Sequence, residues 1–80
     1  MSIKVINNQE TCAKLKSMLE ERGLSAKQVQ RELQLDSVQA VYKWISPNCK
    51  TMPSIDNLIL LANLMDCKLE DILVLNEVKI

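Results

Sequence analysis

The sequence predicts an all-α fold: a compact bundle of five helices forming one domain over residues 1–80, with its core at about 8–75. Three observations point there. One Gly and two Pro among 80 residues are too few for a sheet with many tight turns. Tyr42 and Trp44 are the only aromatic residues, so the core is built from Leu, Ile, Val, Met and Ala, and the chain is rich in good helix formers. Apolar residues also recur at helical steps between residues suited to cap helix ends. A chain this short buries roughly 60–65% of its unfolded surface. That is enough for one small core and too little for an enclosed catalytic chamber.

Taken in order, Asn7 caps a first helix with Glu10 three residues on, and Cys12, Leu15, Met18 and Leu19 form its buried stripe. Gly23 ends that helix after Arg22, since glycine adopts the left-handed conformation without steric cost. Ser25 and Gln28 make a capping box for a second helix that buries Ala26, Val29 and Leu33. Asp36 or Ser37 is suited to cap a third, short helix. Its inner face centres on Val41, with Val38, Trp44 and Ile45 beside it, and Gln39, Tyr42, Lys43 and Ser46 point outward. Pro47 stops it. A loop bounded by Pro47 and Pro53 leads to Ser54, the cap of a fourth helix that is apolar almost all round, from Ile55 to Met65. Such a helix is expected to be mostly core, with any exposed remnant serving as a dimer seam against a second subunit. Leu69, Ile72, Leu73 and Leu75 mark a short fifth helix, with Glu70 and Asp71 where the dipole favours carboxylates. The termini, at 2–6 and 77–80, alternate like strands. They can pair with each other or across a dimer, with frayed ends as the simpler expectation.

The absences constrain chemistry. There is no His, which removes the commonest general base and metal ligand. Cys12, Cys49 and Cys67 are an odd set without paired spacing, read as three reduced thiols of mostly structural role. A lone glycine excludes a glycine-rich phosphate loop. No enzyme activity, cofactor or metal is expected. No run approaches the ~18 apolar residues of a membrane span, and the N-terminus lacks the pattern of a signal peptide. A cytoplasmic location with no membrane partner follows as the expectation. Ten basic residues balance ten acidic ones, which argues against binding a polyanion through bulk charge. The distribution is uneven. Residues 37–53 carry Lys43 and Lys50 and no acid, whereas residues 54–80 carry Lys68 and Lys79 against Asp56, Asp66, Glu70, Asp71 and Glu77. A polyanion should therefore meet the middle of the chain.

Helix two, a turn of about three residues and helix three have the order of a helix-turn-helix. The runs Gly23-Leu24-Ser25-Ala26-Lys27-Gln28-Val29-Gln30 and Ser37-Val38-Gln39-Ala40-Val41-Tyr42-Lys43-Trp44 resemble the lambda-repressor-like (XRE-type) DNA-binding domains. The similarity continues through Lys50-Thr51-Met52-Pro53-Ser54-Ile55-Asp56-Asn57-Leu58 and Cys67-Lys68-Leu69-Glu70-Asp71-Ile72-Leu73, covering about residues 10–75. The resemblance implies a five-helix bundle that places helix three in the major groove of double-stranded DNA and acts as a homodimer. Carried onto this chain, the base-reading positions are Val38, Gln39, Tyr42 and Lys43. Gln39 suits adenine N6 and N7, and Lys43 suits guanine or a phosphate. Phosphate anchors implied are Lys27, Ser37, Lys50 and the amides near Asn57. The chain departs from the family in three places. Gln30 stands where helix two usually presents Ala to helix three, so that contact is expected to be looser or hydrogen-bonded. The turn between these helices is about one residue longer, and the loop after Trp44 is about two residues longer and lacks the usual Gly.

Each residue also has a plainer reading. Trp44 is a core residue by its neighbours, and Gln39, Lys43, Lys27 and Lys50 are solvated side chains by default. The ordered series of motifs shifts the balance toward a sequence-specific transcriptional regulator, of bacterial or phage type, repressing by promoter occupancy. The alternative is a helix-turn-helix module that docks a protein partner, antitoxin-like or co-regulatory, without strong DNA binding.

Overall fold

A computed structural model describes residues 1–49 and 51–79. Its elements run β1 (Ser2–Ile6), α1 (Asn8–Glu21), α2 (Ala26–Glu32), α3 (Gln39–Ile45), α4 (Ile55–Leu64), α5 (Leu69–Ile72) and β2 (Leu75–Lys79). The five helices are present as expected. The purely α class is not, because β1 and β2 pair antiparallel from Ser2↔Lys79 to Ile6↔Leu75. Leu75, assigned from sequence to the fifth helix, instead opens β2, and α5 stops at Ile72.

Side chains organise the helix starts. The Asn7 side chain accepts the Glu10 amide at 2.9 Å. The Ser25 hydroxyl accepts the Gln28 amide at 3.2 Å while the Gln28 side chain accepts the Ser25 amide at 2.8 Å, closing the expected capping box. Ser54 accepts the Asn57 amide at 3.2 Å. The third helix differs: neither Asp36 nor Ser37 is its cap. Val38 occupies that position, in helical conformation and without a side-chain cap bond.

Three helices end in one motif. Gly23 has φ +66, donates to the Glu20 carbonyl at 3.0 Å, and is followed by a Leu24-to-Leu19 bond of 2.9 Å. Gln34 (φ 55) and Asp66 (φ 53) hold the same place after α2 and α4. Their following amides, Leu35 and Cys67, bond back to the Gln30 and Ala62 carbonyls at 2.9 Å. Only Gly23 announces such an end in the sequence.

The core lies where α1, α2, α3, α4 and α5 converge. Leu15 and Leu19, Val29, Val41 and Trp44, Leu58 and Leu61, and Ile72 are its buried members, with Val29, Val41, Leu61 and Ile72 at 0% exposure. Fully burying each such side chain contributes about 1.5–3 kcal/mol. The cysteines revise the sequence reading. Cys12 on α1 and Cys49 in the loop after α3 are both buried and are joined as a disulfide, leaving Cys67 free. The spacing of 37 residues gave no sign of this, because helix packing creates the proximity.

The sheet is tied to the bundle at one point. Asn7 donates to the Val74 carbonyl at 2.8 Å, continuing the β1–β2 register, and the Val74 amide donates to Thr11 Oγ1 at 2.9 Å. Thr11 is the one buried polar residue of the described chain. Its hydroxyl satisfies an amide that the end of the ladder leaves over.

Candidate nucleic-acid interface

The candidate interface is built on α3. Val41 and Trp44 sink its inner side into the core, with Val38 and Ile45 half-buried at its flanks. That anchoring turns Gln39, Tyr42 and Lys43, at steps of three and four, onto one exposed face. Tyr42 remains 49% exposed, a large aromatic surface with no neighbour to cover it among the described residues. The face therefore combines an amide, a phenol and an ammonium group. These are groups able to hydrogen-bond base edges or phosphate oxygens.

The segment joining α2 to α3 sets the aim of that face. Residues 33–38 connect the two helices, longer than the turn of about three residues expected from sequence. Gln30 accounts for the departure at the helix contact. Its side-chain amide donates to the Leu35 carbonyl at 2.8 Å, while the Leu35 amide donates to the Gln30 carbonyl at 2.9 Å. One residue thus clamps the turn twice, through bonds to the connecting segment ahead of α3.

The structure brings some of the predicted residues together and separates others. Lys27 and Val38 line one open groove along α2, together with Gln30, Arg31 and Gln34. Arg31 was not singled out from sequence. The signal for it was its position one helical turn beyond Lys27, on the same face of α2. Lys43 borders a separate groove with Ser46, Asn48 and Thr51, beyond the end of α3. Ser37 is exposed in the turn ahead of α3. Asn57 is half-buried, and its amide is spent on the Ser54 cap, in a first turn that also carries the Asp56 carboxylate. A helix start arranged this way has one amide fewer to offer an anion, and a negative group beside it. Lys50 lies outside the described residues.

Electrostatically, the groove side of α2 carries two cations, Lys27 and Arg31, and α3 adds Lys43. The acidic residues of the C-terminal third lie on α4, α5, the turn between them and β2. Glu32 at the end of α2 and Asp36 in the turn are exposed as well, so the basic groups of this unit, Lys27, Arg31 and Lys43, outnumber its acids by one.

A helix anchored through its inner side, an exposed polar face on that helix, and a preceding helix bearing two cations together form a helix-turn-helix domain. Residues 15–72 match the family model described as helix-turn-helix, and the chain belongs to that lambda-repressor-like family of DNA-binding domains. Comparisons with curated proteins and with solved structures gave no match. Among the described residues, no helix is long and apolar enough to cross a membrane.

Proposed function

We propose that this protein is a sequence-specific transcriptional regulator that binds double-stranded DNA as a homodimer, with α3 in the major groove, and represses by occupying its site. The observation that carries the reading is the exposed Gln39–Tyr42–Lys43 face of α3, held outward by buried Val41 and Trp44. Gln39 reads adenine through a bidentate amide contact, and Lys43 takes guanine or a phosphate. Tyr42 stacks on sugar or meets a thymine methyl group, and half-buried Val38 offers its methyl groups at the groove edge. Lys27, Arg31 and Ser37 hold phosphates and fix the register. A domain seated across a promoter excludes polymerase sterically, and repression is the outcome proposed. No catalytic role is proposed.

The protein-docking alternative draws on the formal net charge of zero. Salt separates the two readings, since phosphate contacts release counterions and lose affinity steeply as salt rises. The experiment is a random-duplex selection with the purified protein at low and near-physiological salt. Enrichment of one inverted repeat that persists at the higher salt is the expected result. Enrichment of no sequence, with no salt-dependent duplex binding even at low salt, would make the domain a protein-docking scaffold.

A further inference from the structure

All ten residues of β1 and β2 are exposed, and Ile3, Val5, Ile6, Leu75 and Val78 each keep 41–48% of their surface in water. Among the described residues these strands pair only with each other, so each presents an outer edge of backbone donors and acceptors. An isolated two-stranded sheet is marginal in water, and three or more strands or a packed helix are needed to hold it. Among the described residues, the hydrogen bonds that join the bundle to this sheet lie at its base, through Asn7, Thr11 and Val74.

We propose that a second copy of this chain docks on the outer edge of β2, forming a four-stranded antiparallel sheet of order β1-β2-β2-β1 about a two-fold axis at Val78. The seam deepens the dimer proposed above and rests on that reading for its use, although its own test needs no DNA. Hydrogen-bond parity restricts the choice of register. The Asn7–Val74 bond makes 7/74, 5/76 and 3/78 the bonded pairs of the ladder, so Leu75, Glu77 and Lys79 point their backbone groups outward. Antiparallel pairing with a second β2 therefore sets these odd-numbered residues opposite one another.

Charge selects among the registers that remain. An axis at Glu77 would oppose that carboxylate to its own copy, and an axis at Asn76 would set Leu75 against Glu77. An axis at Val78 places Glu77 opposite the partner's Lys79, and Lys79 opposite the partner's Glu77. Both pairs then fall in the hydrogen-bonded positions. With the register inside each chain, one face gains the row Lys4, Glu77 and the partner's Lys79, alternating in sign. The other face gains Ile3 and Val78 continued by the partner's Val78 and the partner's Ile3, an unbroken apolar row. The edge of β1 lacks this complementarity, because Lys4 is its single charged residue and has no acid to meet. A lysine on an open edge ordinarily deters pairing. Here Glu77, two residues away, converts that deterrent into a match for one partner, the same strand reversed. The exposed Ile55, Ile59 and Leu60 of α4 offer apolar area, and nothing in them sets a register.

The test is sedimentation equilibrium of the full chain over a range of concentrations, with Glu77→Lys and Lys79→Glu prepared separately and then mixed. Wild type is expected to show a monomer–dimer equilibrium. Each variant alone should associate about tenfold more weakly, since two like-charge pairs replace two opposite-charge pairs. An equimolar mixture should recover association as a heterodimer, because its two seam pairs are again opposite in sign. Glu77→Lys also sets a lysine beside Lys4 within the chain, and recovery in the mixture shows that the sheet still forms. A monomeric wild type, variants that associate like wild type, or a mixture no stronger than its components would overturn the seam. So would loss of the dimer on Ile59→Lys with both charge variants unaffected. A monomeric wild type that still enriches one duplex sequence overturns the seam and leaves the DNA reading standing; a dimer that enriches none does the reverse.

Discussion

Gln39 and Lys27 differ in what they can tell DNA apart by, although both are exposed polar residues. Gln39 stands on the outward face of α3, where an amide matches the donor and acceptor of one base edge. Gln39→Ala is expected to cost about 1–3 kcal/mol on the selected site and to relax preference at one base position, read by titrating matched and mismatched duplexes. Lys27 and Arg31 border the α2 groove, and in the proposed complex they meet phosphate charge rather than sequence. Lys27→Ala or Arg31→Ala should weaken all duplexes alike and lower the salt slope by about one each. Equal loss from the Gln39 and Lys27 changes on specific and random DNA would remove the base-reading role from α3. Thr11 shows how one side chain serves the fold rather than the site. Thr11→Val leaves the Val74 amide without its partner, at about 1–3 kcal/mol. The expected sign is faster hydrogen exchange in β1 and β2.

Helix ends carry most of what distinguishes these elements from generic amphipathic segments. Ser25→Ala removes the hydroxyl that accepts the Gln28 amide, keeps the backbone bond from residue 25 to the Gln28 side chain, and should lower stability by about 1 kcal/mol in denaturant titrations. Gly23→Ala meets open space, so its cost, also about 1 kcal/mol, comes from the positive φ alone. The ends of α2 and α4 use the same conformation with Gln34 and Asp66. A glycine-based reading therefore places the end of α1 correctly and has no marker for the other two. The start of α3 went unread for a related reason. Asp36 and Ser37 are good caps in isolation, but the turn clamped by Gln30 brings Val38 to that position instead. Val38 consequently sits half-buried beside α2, between core and interface.

For the whole molecule, the Cys12–Cys49 bond closes the longest covalent constraint in the described chain, spanning 37 residues and joining α1 to the loop that follows α3. By loop-closure entropy such a link is worth about 3–4 kcal/mol. Thermal unfolding should therefore show a clearly lower Tm with a reductant than without one. Cys49→Ser should abolish that difference. Leu61, fully buried at the centre of the bundle, provides the comparison: Leu61→Ala should cost about 2–5 kcal/mol whatever the redox state.

Local information in the chain determined the helices, the first-turn caps of α1, α2 and α4, the end of α1 and the polar face of α3, because each depends on residues within about one or two helical turns of one another. The ordered motifs from Gly23 to Leu73 were likewise enough for the family. Tertiary structure decided the rest. The strand-like ends are separated by almost the whole chain and become a sheet only because α1 and α5 bring Asn7 beside Val74. Cys12 and Cys49 meet through the packing of α1 against α3, and the segment ahead of α3 brings Val38 into the groove that Lys27 and Arg31 line. Contacts between residues distant in sequence leave no periodic trace, since their spacing reflects the path of the backbone rather than the geometry of any one element.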